Sequence, residues 1–100
     1  MTSQGNGLLY QVILSQKIKD TIKDLHQQAI NRGKGQQFLD SLRVIHNRLR
    51  QDPINFGEPL YRLPSLRLLV YQVIVFRIVV HYGVHEEKPL VFLKGVQLLS

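Results

Sequence analysis

The sequence of 100 residues contains no cysteine and no tryptophan. Without cysteine there can be no disulfide framework, no thiol nucleophile and no thiolate metal site, which argues against a small secreted scaffold and suits a reducing cytoplasm. The opening segment, Met1 to Gly7, is polar and uncharged and lacks the basic-then-apolar pattern of a secretion signal. Uninterrupted apolar runs are missing as well. Leu66 to Val84 is the most apolar stretch, but Arg67, Gln72, Arg77 and His81 break it. A spanning helix wants about 20 mostly apolar residues, so no membrane is expected as a partner. No Pro/Gly/Ser-rich or single-residue tract marks a linker, and residues 1–100 read as one domain with one core.

Several kinds of site are lacking too. Gly33-Lys34-Gly35 has no strand-loop-helix context and reads as an inter-helix turn, not a phosphate cradle. His26 and His46 fall on separate predicted helices, each beside an apolar stripe, where packing at the rim of the core is the expected role. His81 and His85 flank a turn without a third ligand nearby. Neither a metal nor a cofactor is expected. Acidic residues are scarce: seven Asp and Glu against 13 Lys and Arg give a formal charge of +6. That balance favours anionic partners such as nucleic acid, ribosomal RNA or an acidic protein, although excess charge also serves solubility alone.

What is present has a clear order. Leu8 to Leu14, bounded by Gly7 and Ser15, is rich in strand formers and predicts a strand over 8–14. Ile18, Ile22, Leu25 and Ala29 then fall on one helical stripe, predicting a helix over 15–32 with Ser15 as N-cap and Gly33 just past its end. Phe38, Leu42, Ile45 and Leu49 repeat the spacing and predict a second helix over 36–51, which must stop before Asp52-Pro53. The short connection makes the pair an antiparallel hairpin presenting both stripes to a sheet.

Pro53 to Pro64 reads as a loop with one short extended piece at Leu60 to Leu63. Residues 66–96 read as antiparallel strands. A hairpin turn is placed near Gln72 to Val75, a polar turn at His85-Glu86-Glu87-Lys88, and the last strand at Leu90 to Val96. Ile78-Val79-Val80 is apolar on both faces and suits a central strand. The expected fold is α+β, in the order β-α-α-β-β-β.

Among the charges, Arg43, Asn47 and Arg50 share a flank of the second helix, and Lys19, Lys23 and His26 a flank of the first. Arg43, Arg50, Arg62 and Lys94 are the candidate nucleic-acid contacts, although a solvated helix face produces the same pattern. Arg67 and Arg77 stand inside apolar strands beside Tyr71, His81 and Tyr82. A guanidinium there must emerge on a solvated face or groove, or pair with an acid. Arg67, Arg77, His81 and Tyr82 are the candidate catalytic residues.

The order of elements, with Leu49-Arg50-Gln51-Asp52-Pro53, Phe56 to Leu63, Ile78 to Val84 and Leu90 to Val96, resembles the RelE/ParE toxin superfamily over about residues 10–96. The resemblance implies a toxin of a type II toxin-antitoxin system, of the plasmid-stabilisation kind, neutralised by a cognate antitoxin that covers apolar and basic surface. RelE-type relatives imply a ribosome-dependent mRNA endoribonuclease, in which basic residues offset phosphate charge while a 2′-hydroxyl attacks. ParE-type relatives imply poisoning of DNA gyrase without RNA cleavage. Val79 stands where the nuclease branch expects an arginine, with Arg77 two residues earlier. Gly95-Val96-Gln97-Leu98-Leu99-Ser100 stands where that branch expects a basic residue and a catalytic tyrosine or histidine. The departures point to the non-nuclease branch. A non-toxic protein- or nucleic-acid-binding domain of the same fold is a further alternative.

Overall fold

A computed structural model describes residues 9–99, so the polar opening segment, Leu8 at the start of the predicted strand, and Ser100 lie outside the described residues. The first strand, β1, spans Gln11–Ile13 and leads into α1, Gln16–Asn31. Ser15 caps α1 by accepting from the Ile18 amide at 3.2 Å. At the other end Gly33 takes φ 73°, while the Gly33 and Lys34 amides donate back to the Ile30 and Ala29 carbonyls, closing a Schellman motif. The second helix, α2, spans Gly35–Gln51 and ends before Pro53, as the proline requires.

Both stripes are where their spacing placed them. Ile18, Ala29, Phe38, Ile45 and Leu49 are buried in one core with Tyr71, Ile78, Val80, Tyr82, Val84, Val91 and Val96 of the sheet. His26 stacks on Phe38 with ring centroids 5.7 Å apart, whereas His46 is exposed and takes no part in the core.

The region after α2 corrects the sequence reading. Pro53–Phe56 forms a short helix, α3, with proline in its first turn, where the missing N–H costs nothing. Glu58–Leu63 is a full strand, β2, not a loop with a short extended end. Pro59 is tolerated because β2 lies at the sheet edge, where the register shifts between Pro59 and Tyr61. A 3₁₀ turn over Pro64–Leu66 then leads to β3, Leu68–Val75.

The hairpin turn sits at Phe76-Arg77, beyond the Gln72 to Val75 expected, and β4 follows over Ile78–His85. No glycine marks this turn because Phe76 itself takes the left-handed conformation, with φ 56°. Consequently Arg77 lies in a turn, and Arg67, with φ 55°, caps the 3₁₀ segment. Neither stands inside a strand. The last strand, β5, spans Leu90–Leu98.

The five strands run in the order β1-β5-β4-β3-β2, antiparallel except for β1 beside β5. The doubly apolar β4 is the central strand. Strand alternation gives the sheet two unlike faces. Tyr71, Val73, Val80 and Tyr82 turn toward the helices, while Val70, Gln72, Val79 and His81 turn to the face that no helix of the described residues covers.

Candidate functional site

The four candidate catalytic residues are separated by the strand alternation and by the length of β4. Tyr82 has no solvent exposure, and its ring stacks on Tyr71 at 5.3 Å between centroids. Its hydroxyl donates to the Pro53 carbonyl at 2.7 Å. Burial pushes its pKa well above the ordinary tyrosine value, with a hydrogen bond to the Gly57 backbone acting in the opposite direction. A hydroxyl so placed ties α3 to the sheet and has no open approach for a substrate. Gly57 makes room for the hydroxyl: a Cβ there would stand 2.8 Å from the Tyr82 hydroxyl and 2.7 Å from the Gln72 carbonyl oxygen.

One residue back along β4, His81 points to the other face. Its Nε2–H donates to Gln72 Oε1 at 2.8 Å, directly across the β3–β4 ladder, and the ring is half-buried. The other ring nitrogen lies 3.8 Å from where a Cβ on Gly95 would be, so the glycine leaves that side of the imidazole open. Of the four candidates, His81 is the one whose side chain stands on the sheet face away from the helix pair. Gln72 is its orienting partner, which sequence reasoning missed because the pairing exists only through the strand register.

Arg67 lies near the far end of β4, where its Nη1 meets Glu87 Oε2 at 2.6 Å. Beside it Arg62 forms a forked pair with Glu86, its Nη2 donating to Oε1 at 2.8 Å and its Nε to Oε2. The Glu86 carboxyl is accordingly held below, and the Arg62 guanidinium above, their ordinary values. The same turn is closed by His85, whose Nδ1 accepts from the Glu87 and Lys88 amides at 3.1 and 3.0 Å. These arginines secure the β4–β5 turn, and their charge is spoken for.

Arg77 lies at the opposite end of β4. Its carbonyl accepts from the Leu99 amide at 2.8 Å, and the residue lines a cavity of about 350 Å³ between the helix hairpin and the β3–β4 turn. Arg32 and Lys34 line the same cavity. These two were not singled out from the sequence, where Arg32 closed the predicted helix over 15–32 and Lys34 read as a turn residue.

The candidate nucleic-acid contacts do not converge either. Arg43 reaches Asp40 at 3.2 Å on its own helix, Arg50 is exposed at the end of α2, and Lys94 is exposed on β5. Arg48, also missed, lies 4.9 Å over the Phe56 ring in a cation–π contact. Among the described residues no three His, Cys, Asp or Glu side chains are grouped so as to hold a metal, and no helix is long and apolar enough to cross a membrane.

No protein-family model, curated protein or solved structure matches this chain.

Proposed function

We propose that the chain is a RelE/ParE-like toxin module that acts by binding a target in translation or DNA topology, without cleaving RNA, and is neutralised by a protein antitoxin. The supporting fold observation is the order of strand, helix pair and mostly antiparallel sheet, with the helix pair packed on one sheet face. The observation that carries the binding mode is the dispersal of the candidate catalytic set. Tyr82 is sealed under the helices, His81 is on the opposite face, Arg67 is paired with Glu87, and Arg77 is a strand length away. General acid–base chemistry on one phosphate needs its groups within hydrogen-bond reach of the same atoms, and this arrangement does not supply that.

Inducing the chain in a bacterial host tests the reading. Growth arrest with intact messenger RNA, relieved by a co-expressed partner encoded beside it, is the expected outcome. Messages cut inside codons would replace it with the ribonuclease alternative. Uninhibited growth with no partner recovered would favour a non-toxic binding domain.

A further inference from the structure

The described cations that make no ion pair include three that meet at one cavity. Arg32 and Lys34 come from the α1–α2 connection and Arg77 from the β3–β4 turn, and among the described residues no acidic side chain lines the space. Its floor is apolar: Phe38, Leu98 and Phe76 all face it, and Phe76 is 68% exposed. An aromatic ring so open to water at a turn tip, in a backbone conformation that bulky residues seldom adopt, leaves an apolar patch uncovered beside three like charges. At about 350 Å³ the cavity has room for one or two side chains of another molecule.

From this we infer that the cavity is the docking site for an acidic, apolar segment of a partner protein, a carboxylate meeting Arg32, Lys34 and Arg77 and a large apolar side chain meeting Phe76 and Leu98. The inference rests on the reading that the chain acts through protein partners, and adds where one of them sits. Charge complementarity selects the acid, and the apolar floor, with Leu98 and Leu99 beside the Phe76 ring, matches a large apolar side chain; a nucleic-acid strand stacking a base on Phe76 is the alternative that the oligoribonucleotide in the test detects.

The test is titration of the full ¹⁵N-labelled chain with a short synthetic peptide of leucine, phenylalanine and glutamate, followed by amide shifts. Expected are saturable changes confined to residues 29–38, 76–78 and 98–99, weakened by added salt and lost when glutamine replaces glutamate in the peptide. The double variant Arg32→Glu, Arg77→Glu, at two exposed positions, weakens binding about tenfold or more. Circular dichroism confirms that it is folded. Shifts centred elsewhere, such as around Gln72 and His81, would overturn the inference. So would unchanged affinity of the double variant, absence of saturable binding up to about 1 mM, or the same shifts with a single-stranded oligoribonucleotide in place of the peptide. Growth arrest in cells is read separately, so a partner that still captures the double variant would end this inference and leave the proposed function standing.

Discussion

The two ends of β4 carry similar cations in dissimilar company. Beyond His85, Arg62 and Arg67 are matched by Glu86 and Glu87, and the charges are used to hold a turn. Before Ile78, Arg77 joins Arg32 and Lys34 with no acid among the described residues at the cavity. The contrast separates structural cations from available ones. Each end also contains a non-glycine residue with positive φ, Arg67 at one and Phe76 at the other, so the same backbone cost is borne at both. Only at the Arg67 end does an ion pair of the same residue accompany it.

The largest expected effect falls between the ends, where β4 crosses the core. Tyr82→Ala removes a buried ring stacked on Tyr71 and should cost about 3–5 kcal/mol in chemical denaturation. Tyr82→Phe keeps the ring and should lose about 1 kcal/mol with the Pro53 bond. It should leave growth arrest intact, and a loss of arrest in this folded variant would return Tyr82 to the catalytic set. The tyrosine also sets an alkaline limit. Its folded pKa lies above the unfolded value of 10.0, so its contribution is full below that pH and is lost as pH rises toward the folded value. Tyr82→Phe should flatten the alkaline decline.

Glycine at the two strained positions compares the ends directly. Phe76→Gly removes a left-handed penalty of about 1 kcal/mol from an exposed residue and should raise stability by up to that amount. Arg67→Gly relieves the same penalty but gives up the pair with Glu87, so its gain should be smaller. Equal gains in urea midpoints would show that the Arg67 pair contributes nothing. Phe76→Gly should also weaken the acidic peptide, which ties the strain to the cavity.

The smallest effect is the acid response of the Arg62–Glu86 pair, which is exposed and well screened. Arg62 holds the Glu86 pKa below 4.5, so the pair's contribution is present above that pH and fades as pH falls through the folded value. Arg62→Ala should make the acid limb slightly shallower. Arg77→Ala, with no such partner among the described residues, should leave it unchanged.

The helix pair was legible because its stripes, Ile18 to Ala29 and Phe38 to Leu49, bury one face in a repeating pattern, and because Ser15, Gly33 and Pro53 act locally. β4 was legible as central for a similar reason: a strand buried on both faces, as Ile78, Val79 and Val80 are, has little use for polar residues. β2 was missed because Pro59 and exposed neighbours are the marks of a loop, and an edge strand tolerates both. The hairpin turn was misplaced because Phe76 performs a task usually signalled by glycine. That error put Arg77 inside a strand and made it a neighbour of His81 and Tyr82, which the fold does not allow.

The sequence by itself determined the helices, their caps, the central strand and the excess of positive charge, since these follow from periodicity, capping and composition. Only the tertiary structure decided which of those charges are available. Arg62 finds Glu86 across 24 residues through the sheet and its turns, and Arg32, Lys34 and Arg77 meet because two distant turns are packed at one end of the molecule. Such neighbourhoods depend on register, and a shift of one residue in β3 or β4 would reverse the faces of the strand and move these groups apart.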